Sequence, residues 1–146
     1  MVEQATTEAE THRAQATVEQ FLGALERLDI DGALALADPE IVYQNVPFPP
    51  ARGIRAFERQ MRAMARVGTG FEARMLNIAA SGDIVLTERI DMLEAGRFRV
   101  VLWVCGTFEL RDGKVVLWRD RFDFLDITVA TLRALVGIVL PALNRR

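Results

Sequence analysis

Only one cysteine, one histidine and one tyrosine occur in 146 residues. The lone Cys105 excludes an internal disulfide and fits a reducing compartment, so a cytoplasmic location is expected. With His12 the sole histidine, the chain has no spaced set of nitrogen and sulfur ligands for a metal. No serine or cysteine nucleophile has a matching histidine base either. A basic surplus is also missing. The 18 Lys and Arg against 20 Asp and Glu leave a net charge of −2, which gives no footprint for nucleic acid. No glycine-rich phosphate loop follows a predicted strand. Residues 1–15 are polar and acidic, without the apolar segment of a secretory leader. The most apolar stretch, 127–143, contains Arg133 and Pro141 and falls short of the roughly 20 residues of a membrane span. It reads as a packed C-terminal helix, or one at a subunit interface.

The chain is 51% hydrophobic and 26% charged, the balance of a globular protein. Its length favours one domain, 1–146, with a real core and room for one internal pocket. Residues 7–27 read as a helix, because Val18, Phe21, Leu22, Leu25 and Leu28 recur at three- and four-residue spacing. Residues 33–37 read as a short second helix stopped by Asp38-Pro39. A strand over 41–46 runs into the proline-rich segment 47–50. A third helix over 53–67 places Ile54, Phe57, Met61 and Met64 on one stripe. Four longer strands follow over 71–79, 84–93, 98–110 and 114–124, with turn-like breaks at 81–83, 94–96 and 111–113. Helices first and strands after imply an α+β fold: a curved mixed or antiparallel sheet with helices on one face. Such a cone has its small-molecule pocket at the open end.

Polar residues interrupt the predicted core. Alternate residues of a strand share a face. Asp120 therefore shares a face with Val116, Trp118, Phe122 and Phe124, and Arg89 and Asp91 share one with Val85 and Thr87. Charges removed from water are costly unless paired, so two acids and one arginine are expected to pair with one another. In the short strand, Tyr43 and Asn45 share a face and can hold a water. Singly, each residue has a plainer reading: an Arg–Asp pair as a structural bridge, Tyr43 as a core tyrosine, Asn45 as a turn residue. Together on inward faces they point to acid–base chemistry. Glu88, Arg119 and Asp123 fall on the opposite faces, Arg119 and Asp123 as a solvated or interface pair. His12 reads as exposed, Cys105 as a small buried side chain, and Trp103 and Trp118 as core. Trp118, Phe122 and Val85 are candidate pocket walls.

Three motifs in order carry a resemblance. Tyr43-Gln-Asn45 followed by Pro47 and Pro49-Pro50, then Thr87-Glu-Arg-Ile-Asp91, then Trp118-Arg-Asp120 with Phe122-Asp123, resemble the limonene-1,2-epoxide hydrolase family over about residues 21–126. The resemblance implies a cone-shaped fold of the nuclear-transport-factor-2-like type and a homodimer. It implies hydrolysis of a small apolar or cyclic epoxide by water to a vicinal diol, with no covalent enzyme intermediate and no cofactor or metal. Carried over by position, Asp120 is the general base, Tyr43 and Asn45 hold the water, Asp91 is the general acid, and Arg89 bridges the acids. The chain departs from the family in Arg121, where an aromatic is usual, and alternation points Arg121 away from the Asp120 face.

The chemistry has a physical basis of its own. An epoxide oxygen leaves poorly as an alkoxide and water is a weak nucleophile, so an acid and a base each contribute about 10²–10⁴-fold. One proton shared between Asp91 and Asp120 would meet both needs. Two other readings compete. An isomerase or cyclase on the same cone needs an acid and an oxyanion donor but no arginine between two acids. A non-catalytic binding or dimerisation module needs none of them.

Overall fold

A computed structural model describes residues 2–139. Three helices, α1 (Val2–Glu26), α2 (Ile30–Ala35) and α3 (Ile54–Val67), pack on the inner face of a curved, unclosed six-stranded sheet. The strands are β1 (Ala37–Val46), β2 (Ala51–Arg52), β3 (Gly70–Ser81), β4 (Ile84–Ala95), β5 (Phe98–Arg111) and β6 (Lys114–Phe122). A fourth helix, α4 (Phe124–Val139), contacts β5. The rest of the apolar stretch read as helix, 140–143, lies outside the described residues.

The sheet order is β2-β1-β6-β5-β4-β3. Strands β3 to β6 form the expected antiparallel meander. Strand β1 joins it in parallel beside β6, which makes the sheet mixed. That one pairing puts Tyr43 opposite Trp118 and Asn45 opposite Asp120.

The helices follow local chemistry. Val18, Phe21, Leu22 and Leu25 form the buried stripe of α1. The chain has no proline before Pro39, and α1 extends back to Val2, beyond the expected start at residue 7. Leu28, at φ 56°, ends it, with the Asp29 amide donating to the Ala24 carbonyl at 2.8 Å. The Asp29 carboxylate then accepts from the Gly32 amide at 2.9 Å, and this cap starts α2 three residues earlier than expected.

Strand β1 begins at Ala37 and not at Ile41. Asp38-Pro39 does not stop the chain but sits in an irregular stretch of the ladder between Ala37 and Val42. The Asp38 carboxylate accepts from the Glu40 amide at 2.8 Å and from Arg111 Nη2 at 2.7 Å, which secures the strand without a proline N–H. A second irregularity lies between Glu109 and Leu110. It turns Val115 into the core and leaves Val116 half-buried, the reverse of simple alternation. Strand β6 stops at Phe122, because the Asp123 carboxylate accepts from the Leu125 amide at 2.9 Å and Phe124 already belongs to α4.

The core lies between α1–α3 and the inner sheet face. Its centre is aromatic: Phe21 stacks on Phe57, and both meet Trp118 edge-on at 5.4 and 6.3 Å. Tyr43 lies 4.5 Å from Trp118 and 5.7 Å from Phe57, centroid to centroid. On the outer face, Trp103 is 42% exposed and not in the core. Odd residues of β5 point outward, and its indole N–H donates to Glu88 at 2.9 Å. Cys105, on the same face, is half-buried, while His12 is exposed as expected.

Phe57 is fully buried under Tyr43 and Trp118. Phe57→Ala is expected to lower the unfolding free energy by about 3–5 kcal/mol, read from urea denaturation.

Candidate active site

Four strands build the site. Strand β4 alternates Val85, Thr87, Arg89 and Asp91 onto the inner face, all buried. Strand β6 contributes Asp120, and β1 contributes Tyr43 and Asn45 from the neighbouring position. Strand β5 runs between β4 and β6.

Arg89 is the hub and has no surface open to solvent. Its Nε donates to Asp91 Oδ1 at 3.0 Å and its Nη2 to Asp91 Oδ2 at 2.8 Å, a two-pronged grip. The same Nη2 donates to Asp120 Oδ2 at 2.7 Å, and Nη1 donates to Thr87 Oγ1 at 3.0 Å. The guanidinium carbon lies 5.9 Å from the centroid of the Phe108 ring. Sequence alternation placed Thr87 on this face, but its hydroxyl as a partner for Arg89 was missed. A threonine two residues before a buried arginine on one strand face is the signal that could have revealed it.

Electrostatics fix the charge states. Burial works against the Arg89 cation, yet hydrogen bonds and charge from Asp91 and Asp120 outweigh it and hold it firmly protonated. Burial pushes the Asp120 carboxyl up from its ordinary value, while the charge and hydrogen bond of Arg89 pull it back. Burial and the nearby Asp120 charge keep the Tyr43 phenol neutral.

Tyr43 Oη accepts from Asn45 Nδ2 at 2.9 Å. Two buried oxygens, Asp120 Oδ1 and Asn45 Oδ1, accept no hydrogen bond among the described residues. Among the described residues the Trp118 indole N–H closes no hydrogen bond either, although it lies close enough to favour the charged form of Asp120. All five acid–base candidates therefore gather at one place.

The remaining candidates sit around this cluster. Val85 and Trp118 belong to the core, and Phe122 is half-buried two residues beyond Asp120. Glu88 faces outward and accepts from Asn77 and Trp103. Arg121 also faces outward, near Thr107. Arg119 and Asp123 do not pair with each other: Arg119 donates to Gln44 at 3.2 Å, and Asp123 caps α4. A half-open apolar cavity of about 340 Å³ opens at one end of the inner face, lined among others by Leu28, Met64, Val67, Phe71, Leu93 and Phe98. Leu93 follows Asp91 by two residues on β4.

A curved, unclosed sheet with helices on its inner face is the nuclear-transport-factor-2-like fold, and here it encloses a buried acid–arginine–acid cluster. The limonene-1,2-epoxide hydrolase catalytic domain matches residues 12–133, and the chain belongs to that family. It is thereby an enzyme of the epoxide hydrolase class. Epoxide hydrolase EphG of Mycobacterium tuberculosis is 46% identical over 128 residues, covering 87% of this chain and 85% of the relative. The solved structure of an M. tuberculosis epoxide hydrolase of this type superposes with a TM-score of 0.85 at 44% identity, covering 91% of this chain and 99% of that one. A Xanthomonas campestris protein described as a putative polyketide cyclase shares the fold at a TM-score of 0.71 and 19% identity, covering 83% and 98%.

Removing the hub strands two carboxylates in the interior. Arg89→Gln is expected to lower stability by about 3–5 kcal/mol at neutral pH. The loss should shrink in acid, where the carboxyls are neutral and need no counter-charge; urea melts at two pH values read both.

Proposed function

We propose that this chain adds water across an apolar or cyclic epoxide in one step, giving a vicinal diol without a covalent enzyme intermediate. The observation that carries the reading is a buried arginine bonded to Asp91 on one strand and Asp120 on another, with Asp120 Oδ1 left without a partner among the described residues.

In this scheme a water donates to Asp120 Oδ1 and Asn45 Oδ1 and accepts from the Tyr43 hydroxyl. Asp120 removes a proton as the water oxygen bonds to an epoxide carbon. The carbon–oxygen bond of the ring breaks on the same carbon, and Asp91 protonates the departing oxygen. Asp120 ends protonated and Asp91 ionised, and Arg89 faces both throughout. Restoring the starting state needs the proton to return to Asp91 from Asp120 or solvent. No cofactor is required, because side chains perform both proton transfers. With the proton on Asp91, Arg89 and Asp120 cancel in charge, so the reactive state is also one that the buried site tolerates.

Val85, Trp118 and Phe122 would form apolar walls close to the reacting carbon, and the cavity beyond Leu93 supports an apolar substrate. An isomerase or cyclase would have no use for the arginine between two acids. Exposed apolar side chains on the outer sheet face (Leu86, Val101, Trp103) and on α4 (Leu132, Leu135) support a homodimer. Light scattering at micromolar concentration tests it, and a monomer mass would rule it out. No described helix is long and apolar enough to cross a membrane, and the protein is proposed to act in the cytoplasm.

Purified wild type should form diol from terpenoid, sterol or simple cyclic epoxides, while folded Asp120→Asn should lose at least about 100-fold in kcat. Turnover of none of these epoxides by the wild type would remove the proposed apolar or cyclic substrate. Because burial raises the Asp120 carboxyl, kcat/KM should fall in acid from a pH above the ordinary aspartate value near 3.8. Deprotonated Asp120 is the active form, so activity is present above that pH and lost below it. An acid limb at or under the ordinary value would contradict the assignment of Asp120 as base.

A further inference from the structure

Arg89 and Asp120 are not on adjacent strands. Strand β5 runs between β4 and β6, and neighbouring strands lie about 4.8 Å apart, so the bridge crosses about 10 Å of sheet. The register fixes what it crosses: Thr87 on β4 pairs with Gly106 on β5, which pairs with Asp120 on β6. Gly106 is buried on the inner face, in the row with Val104 and Phe108.

A methyl carbon on Gly106 would stand 2.5 Å from Arg89 Nη1, 2.6 Å from Thr87 Oγ1 and 2.7 Å from Asp120 Oδ1. Ordinary contacts need roughly 3.5–4 Å, so no side chain fits there without displacing these groups. The usual reason for a glycine does not apply. Gly106 is not among the glycines with positive φ, and a glycine inside a strand otherwise weakens it. Close approach of other groups to the bare backbone is what remains.

We propose that Gly106 is a positioning residue for hydrolysis: its bare backbone is the gap through which Arg89 reaches across β5 to Asp120. The inference rests on the reading of Asp120 as a base tuned by Arg89. Thr87 closes the gap on one side by accepting from Arg89 Nη1, and Phe108 borders it two residues further along β5. A side chain at 106 crowds Thr87 and Asp120 and pushes the guanidinium off Asp120, while leaving its grip on Asp91, which lies on its own strand. Asp120 then keeps its burial and loses its counter-charge.

The test compares Gly106→Ala, Arg89→Lys and the double variant with wild type and Asp120→Asn. Activity is followed as kcat/KM against pH, and folding by thermal melting. A lysine retains the charge but cannot grip two carboxylates in the same way. Gly106→Ala is expected to lose about 100-fold or more in kcat, with its acid limb moved to higher pH. Arg89→Lys should be similarly slow, and adding Gly106→Ala to it should cost clearly less than Gly106→Ala costs the wild type, because both break the Arg89–Asp120 contact and only the crowding of Thr87 and Asp120 remains. A merely structural role for Gly106 would lower the melting temperature and leave the acid limb in place, which overturns the proposal. So does a double variant whose losses multiply. If Gly106→Ala does not fold, melting decides: the double variant should be better folded than Gly106→Ala, and a double variant that is no better folded overturns the proposal. Near-normal turnover by Asp120→Asn or Arg89→Lys would remove the reading of the site itself. Slow Asp120→Asn and Arg89→Lys beside a normal Gly106→Ala would remove this inference alone.

Discussion

Arg89 carries a positive charge with no surface open to water. An isolated charge so placed would cost several kcal/mol, and the two carboxylates facing it would each cost as much alone. Together they are tolerable only because the guanidinium directs four donor contacts at fixed partners: three to carboxylate oxygens and one to Thr87. The arrangement is also unbalanced, since two acids face one base. A proton taken up by the cluster removes the excess negative charge. Burial, which raises the Asp120 carboxyl, and Arg89, which lowers it, are the opposed influences that govern that proton.

Much of the architecture can be read as support for this contact. The aromatic core of Phe21, Phe57, Phe108 and Trp118 excludes water from beneath it. Parallel pairing of β1 with β6 brings Tyr43 and Asn45 alongside Asp120 with no loop involved. Groups held on paired strands keep their spacing better than groups on loops, and the chemistry proposed above depends on that spacing.

The period of two was enough to read the buried charged cluster from the sequence, because a charged residue in the middle of an apolar face is conspicuous. Arg89, Asp91 and Asp120 were legible for that reason, and Tyr43 and Asn45 from the same alternation in β1. The readings that failed have separate causes. Val116 and Val115 exchanged faces at a bulge, and Asp38-Pro39 looked like a stop because the side-chain bonds that carry β1 through it come from Arg111, more than seventy residues away in the chain. Trp103 was assigned to the core on residue type, against its own alternation. The two-residue β2 and the parallel entry of β1 were invisible, since partner and direction are set by tertiary pairing and not by any local pattern. Gly106 drew no notice because the absence of a side chain leaves no mark in a hydrophobic pattern.

Placing β1 beside β6 also bears on how the molecule comes to exist. Asn45 meets Asp120 only after the whole meander between them has been laid down, so the centre of the sheet is closed by contacts distant in sequence. Such contacts close loops before they return any stabilisation, and they slow folding. Until β6 docks, Arg89 and Asp91 can stay hydrated on an incomplete sheet, and the acid pair does not exist. The charged centre needs β4 and β6 together, so no partly made chain that lacks β6 can hold it.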